Sequence, residues 1–170
     1  MDAYMAVVSK REVRDYEGRP LDPAAERRIL EAGRLAGSSK NRQQRRFVVL
    51  RDPAAVARVA ESVYAPDNVR RAALVVAVVA GAKGPTEFDA GRSAQNMMLA
   101  ASNDGIGSCP NGIADHDGLA AVVGSGAEER VVIVLTFGYP SRPSDPERHP
   151  PGHWVERADR RPFDDVVEER

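Results

Sequence analysis

The chain has 170 residues, of which 42% are hydrophobic and 29% charged, with a formal net charge of −1. That length suits one domain with a real core, and the near-neutral balance excludes a global field that would draw the chain to nucleic acid or an anionic membrane. A single cysteine, Cys109, excludes an intrachain disulfide and a cysteine metal cluster, and His116, His149 and His153 sit among turn residues without ligand spacing, so no metal site is expected. Only three of the 24 basic residues are lysines, namely Lys10, Lys40 and Lys83. The longest apolar run, residues 72–82, is too short to span a membrane. The chain opens without a long apolar run behind a basic start, so the expected location is cytoplasmic.

In chain order, Asp2 caps a first helix carrying Tyr4, Met5, Val7 and Val8, ending near Ser9. Asp22-Pro23 is a strong helix start, with Asp as N-cap and Pro in the first turn. Ile29, Ala32 and Ala36 form its apolar face, Gly33 allows close packing on that face, and Gly37 is the expected stop. Residues 46–50 read as a buried strand. Asp52-Pro53 repeats the helix-start signature, with Val56, Val59, Ala60 and Val63 inward. A loop is expected at residues 65–71. Residues 74–80 form a second strand, apolar on both faces, as in a sheet covered on both sides. A turn at 81–86 leads into the longest helix, residues 87–103, with a stripe of Ala90, Ala94, Met97, Met98 and Ala101. Residues 106–114 read as irregular, residues 117–123 as a short helix, and residues 131–137 as a third strand.

The arrangement expected is a single domain over residues 1–170. It carries a Pro-rich extended arm at 141–152 and a basic C-terminal segment at 157–170. Strands alternating with helices argue for a three-layer α+β or α/β arrangement. So few strands, with a Pro-rich tail, suggest that a partner subunit completes part of the core.

Hydrolytic motifs are missing, as are a P-loop and a G-x-G-x-x-G fingerprint. Gly105-Ile106-Gly107 lacks the third glycine and follows a helix rather than a strand. With no evident nucleophile or general base, the chemistry points to a bound cofactor that carries it. Two stretches suit a phosphorylated cofactor: the cations of Lys10-Arg11-Glu12-Val13-Arg14-Asp15-Tyr16, and the polar loop Gly37-Ser38-Ser39-Lys40-Asn41-Arg42-Gln43.

In order and spacing these stretches resemble the FMN-dependent nitroreductase family. Its opening R-R-S-x-R-x-[FY] is similar to residues 10–16, with Lys10 a like-charged replacement and Glu12 a departure. Its P-S-x-x-N-x-Q-P-W loop is similar to residues 37–45, with Gly37 for the first Pro and Gln44-Arg45 for Pro-Trp. The helix signature D-x-G-x-x-x-Q-N-x-x-L-x-A is matched at each fixed position by Asp89, Gly91, Gln95, Asn96, Leu99 and Ala101. Gly105-Ile106-Gly107-Ser108, Gly138-Tyr139-Pro140 and Arg160-Arg161-Pro162-Phe163 follow in the family's order.

The resemblance implies an α+β fold, a three-layer α/β/α sandwich that is dimeric, with FMN at the subunit interface. It implies that Lys10 and Arg11 face the phosphate and ribityl chain and that Arg14 lies near the N1/O2 edge. Ser38, Ser39 and Asn41 would donate from the other subunit. Pro110, Asn111, Gly112 and Ile113 would lay backbone over the isoalloxazine ring, and Arg157, Arg160 and Arg161 would complete the phosphate site. Asn68, Arg70 and Arg71 are candidates for the pyrimidine edge. Gln95 and Asn96 are expected to satisfy buried polar groups, and Cys109 to fill apolar space. The implied activity is ping-pong oxidoreduction, with NADH or NADPH as donor and a small nitroaromatic, quinone or similar conjugated molecule as acceptor. Two alternatives stay open: a binder of flavin or another phosphorylated ligand with little reductase activity, and an interaction dimer without cofactor.

Overall fold

The computed structural model describes residues 1–170 and divides into two compact units, Arg11–Pro143 and a terminal unit of Met1–Lys10 with Ser144–Arg170. In the terminal unit, Ala3–Ser9 (α1) and Pro151–Arg157 (α7) are the helices. Asp2 caps α1 by accepting the Met5 N–H at 2.7 Å. Trp154 is buried, and its indole N–H donates to the Pro146 carbonyl at 2.9 Å.

The central unit is built on four strands: Arg45–Leu50 (β1), Leu74–Gly81 (β2), Gly107–Asn111 (β3) and Glu129–Gly138 (β4). They pair antiparallel throughout, in the order β1-β2-β4-β3. β2 is an inner strand and must bury both faces, which explains why it is apolar from end to end. Leu74, Val76, Val78 and Ala80 pack with Pro23–Arg34 (α2) and Thr86–Asn103 (α5) through Ile29, Ala90, Ala94 and Met97. Val75, Ala77 and Val79 pack with Pro53–Glu61 (α3), Pro66–Arg70 (α4) and His116–Val123 (α6) through Val59, Ala60, Val69 and Leu119. The result is the expected three-layer α/β/α sandwich. A doubly apolar strand is common in parallel sheets; here the sheet is antiparallel, and helical cover on both sides creates the same demand.

The expected starts of α2 and α3 are present. Asp22 accepts the N–H groups of Ala24 and Ala25, Asp52 accepts that of Ala55, and a proline sits in the first turn of each. Gly33 makes the close approach foreseen for it: a Cβ there would lie 2.8 Å from Cγ of Met97.

Several elements differ from expectation, each for an identifiable reason. α2 ends at Arg34 rather than at Gly37, with Leu35 as cap. Gly37 is instead where the Arg92 guanidinium passes, 2.9 Å from the position of a Cβ. β1 is half-buried rather than buried, because it is an edge strand. Residues 65–71 contain α4, started by Pro66. The irregular stretch contains β3, an edge strand that tolerates Pro110 because a proline can face away from the ladder. The arm is not extended throughout: it holds a 3-10 turn at Pro146–Arg148 and the start of α7. Gln95 and Asn96 are exposed rather than serving buried groups, and the Asn96 amide donates to the Ala32 carbonyl at the surface.

Candidate functional site

The outer edge of β3 is the centre of the candidate site. The Val13 N–H donates to the Ser108 carbonyl at 2.9 Å, and Glu12 pairs with Ser108 in a parallel bridge. The Ser108 carbonyl therefore points away from β4. Residues alternate along an antiparallel ladder, so Cys109 and Asn111 direct their backbone groups into the sheet, while Ser108, Pro110 and Gly112 direct theirs outward. The Gly112 carbonyl accordingly accepts the Tyr64 N–H at 3.1 Å, and the Gly112 N–H lies on the same outer edge. Val13 thus covers one end of this edge and Tyr64 the other, with half-buried Pro110 between them. Four residues of strand separate Ser108 from Gly112, about 13 Å.

Arg11 and Arg14 flank the covered end on the segment that Val13 anchors. Arg11 is half-buried and Arg14 exposed. Gly107 admits this segment: a Cβ there would lie 2.7 Å from Cβ of Val13. Tyr16 pins its far end. The ring packs on Gly138, where a Cβ would come within 2.7 Å of it. The hydroxyl donates to the Val13 carbonyl at 2.7 Å and lies 3.1 Å from Oγ1 of Thr136. Burial pushes the Tyr16 phenol up to about 12, despite an opposing hydrogen bond with Thr136.

Thr136 belongs to a buried polar network beneath the strand. The Asn111 amide donates to the carbonyls of Cys109 and Val134 and to Oγ1 of Thr136, and accepts from Asn68 at 2.9 Å. Of the four residues expected to cover a ring, Asn111 therefore offers no free side chain, and Gly112 presents the outward N–H. Asn68 is buried, and its amide donates to Asn111. Arg71 is exposed, and its guanidinium lies 3.9 Å from the carboxylate of Asp15. The Ser108 hydroxyl is buried without a hydrogen-bond partner, on the residue that carries the cation segment.

The loop bearing Ser38, Ser39 and Asn41 is built differently. Lys40, Asn41 and Gln43 all have positive φ, at 51°, 53° and 54°, a conformation that costs about 1–2 kcal/mol for each residue with a Cβ. Side chains brace it. Ser38 accepts the Gln43 N–H at 2.9 Å, Asp89 accepts the Ser39 N–H at 3.0 Å, and Arg92 donates to the Gly37 carbonyl at 3.2 Å. Arg45 donates to the carbonyls of Arg34 and Ala36; burial lowers its guanidinium, the Asp89 carboxylate opposing. Asp89 is a supporting residue that motif matching alone did not interpret. Its signal was a carboxylate in the first turn of the helix, at a position buried in the fold.

Within one chain these two halves stand at opposite ends of α5. Ser39 bonds Asp89 near its start, and the Ile106 N–H bonds the Ala101 carbonyl near its end; the helical rise between those positions is about 18 Å. The remaining expected residues belong to the terminal unit. Lys10 is half-buried at the end of α1. Arg157 lies 5.8 Å from the Trp154 ring centre, while Arg160 and Arg161 donate to the nearby carbonyls of Ala158 and Asp165. No helix of the chain is long and apolar enough to cross a membrane.

A three-layer sandwich on a four-stranded sheet, with two long helices against one face, has the architecture of the nitroreductase fold. The chain belongs to the nitroreductase family, whose model matches residues 7–85 and 66–139. It is 35% identical over 80 residues to an NADH dehydrogenase of Thermus thermophilus, an alignment covering 47% of this chain and 39% of that protein, so less than half of that relative's length is spanned. It is 27% identical over 149 residues to an Archaeoglobus fulgidus protein named for NADH dehydrogenase or NAD(P)H nitroreductase activity, covering 82% of this chain and 86% of that one. Among solved structures, a nitroreductase family protein of Clostridium difficile 630 superposes with a TM-score of 0.83 at 22% identity, covering 99% of this chain and 98% of the other. An FMN-dependent nitroreductase of Clostridium difficile R20291 gives 0.75 at 19% identity, covering 82% and 88%. At these identities the two structures share the fold.

Proposed function

We propose that the protein is an FMN-dependent oxidoreductase that takes hydride from NADH or NADPH and reduces a small conjugated acceptor, a nitroaromatic or quinone, by a ping-pong mechanism. The observation that carries this reading is the outer edge of β3. It is a strand edge with an outward N–H at Gly112, whose carbonyl is held by Tyr64 and whose bare Cα lies against the Tyr64 ring, and with two arginines on the segment anchored at its other end. The buried, unpartnered Ser108 hydroxyl on the same strip suits a polar ligand. When bound, the flavin would supply reversible hydride acceptance and donation.

The chain's own residues would then bind and orient. Arg11 would hold the phosphate and ribityl chain. Arg14 would hold the N1/O2 edge, where a cation favours the negatively charged reduced ring. Gly112 would donate its N–H to the ring. The Ser38–Asn41 loop stands at the far end of α5 from the β3 edge, a separation that suits donors contributed by a second subunit. The reading therefore includes a homodimer with the cofactor at its interface.

Purified protein that is yellow and releases FMN on denaturation supports this proposal; colourless protein that takes up no added FMN defeats it. The Arg14→Ala variant should bind FMN more weakly or oxidise NAD(P)H more slowly, and unchanged values would remove Arg14 from the site. Glu12 favours a second reading, a flavin or phosphorylated-ligand binder with little turnover, because it places a carboxylate between the two arginines. FMN binding without NAD(P)H oxidation in the presence of a quinone would select that reading.

A further inference from the structure

Tyr64 has no place in the cofactor reading, and it is 78% exposed. An aromatic ring so exposed is usually free to move, but the backbone of this one is held by two contacts and its ring by a third. Its backbone N–H donates to the Gly112 carbonyl, and its neighbour Val63 pairs with Ile113 in an antiparallel bridge. Its ring lies against Gly112, where a Cβ would come within 3.2 Å of Cδ2 and 3.7 Å of Cε2. Gly112 lets the ring sit close to the strand, and the ring stands beside the outward edge at Gly112. The short connection between β2 and α5, residues 82–85, holds no aromatic side chain.

We propose that Tyr64 is the wall of the acceptor site, stacking against planar aromatic acceptors and setting the preference for them over compact, non-aromatic oxidants. This rests on the flavin reading above. Aromatic faces favour offset-stacked or edge-to-face partners, and a tyrosine held from its backbone side loses little freedom on stacking. The chemistry at this point is electron transfer already assigned to the cofactor; Tyr64 contributes binding and orientation and forms no bond.

The test compares wild type, Tyr64→Ala and Tyr64→Phe as FMN-loaded protein. Equilibrium binding of 4-nitrobenzoate is followed through the visible flavin spectrum, and steady-state kinetics use a naphthoquinone and ferricyanide. In Tyr64→Ala, the nitrobenzoate Kd and the naphthoquinone KM should rise at least fivefold relative to the ferricyanide KM, with kcat changing less than KM. Tyr64→Phe should restore both. A Tyr64→Ala protein that keeps both values within twofold, or whose ferricyanide KM rises in parallel, overturns the proposal while the flavin reading stands. A wild type that binds no FMN overturns both, so the two failures are distinguishable.

Discussion

The two ends of α5 carry polar groups by opposite strategies. At the β3 end, the Arg11–Tyr16 segment is tied into the core: Tyr16, Thr136, Asn111 and Asn68 form a continuous buried chain of polar contacts. At the other end, the loop over residues 37–43 has three non-glycine residues in left-handed conformations and is held from its flanks by Asp89, Arg92 and Arg45. One end gets its geometry from packing, the other from strain restrained by hydrogen bonds. Substitutions at the first end should therefore damage fold and site together, whereas those at the second should separate them.

The largest effect is expected at Asn111. Its amide makes four contacts in the network, and truncation leaves several buried groups without partners, at about 1–3 kcal/mol for each group so stranded. Asn111→Ala should lower unfolding stability by about 3 kcal/mol, read from urea denaturation, and weaken FMN uptake in the same protein. A loss below about 1 kcal/mol would break the comparison, since the β3 end would then not depend on its core.

Tyr16→Phe removes one hydroxyl and should cost about 1 kcal/mol at neutral pH. Its pH dependence is the sharper test. The folded-state phenol sits near 12, above its ordinary value of 10.0, because burial disfavours the phenolate. A group whose folded value is raised contributes its full stability below its unfolded value and loses it as pH rises through the folded one. Wild type should therefore lose stability between about pH 10 and 12 more steeply than Tyr16→Phe. Parallel alkaline curves would show that Tyr16 is not buried as described.

At the loop the expected sign reverses. Lys40→Gly relieves a left-handed residue at a cost in unfolded-state entropy, for a net gain of about 0.5 kcal/mol, read as a rise in Tm. A fall would mean that the loop is not under backbone strain, and the contrast between the ends would lose one side.

The inner strand β2, the capped starts of α2 and α3, and the stripe of α5 were all legible because burial and capping leave local marks. β3 was not. Gly-Ser-Cys-Pro-Asn has neither alternation nor β-branched residues, and it becomes a strand because β4 pairs with one edge and Val13 with the other. α4 escaped for a related reason, since five residues are too few to show a period. Arg11 and Arg14 stood out as charges and Tyr16 as the aromatic end of a signature, but the roles of Tyr16, Thr136 and Asn68 in holding segment and strand in place are defined only by tertiary contact. Tyr64 belongs with them, because its meaning lies in Gly112, far along the chain.

The smallest effect lies at the loop end of the sheet, where Arg46 of β1 pairs with Glu129 at the start of β4 at 2.7 Å. The Arg46 hydrogen bond, helped by the Gly126 N–H, holds the Glu129 carboxyl at about 2, below its ordinary 4.5. A lowered folded value means the contribution is present above the unfolded value and lost as pH falls through the folded one. Both side chains are about one-third exposed or more, so solvent screening limits the pair to about 0.3 kcal/mol. Glu129→Gln should therefore be slightly less stable than wild type at pH 7, and the difference should fade between about pH 5 and pH 2 and shrink with added salt. A gap that persists at pH 2 would mean that Glu129 acts through packing, and that this end of the sheet is held as the β3 end is.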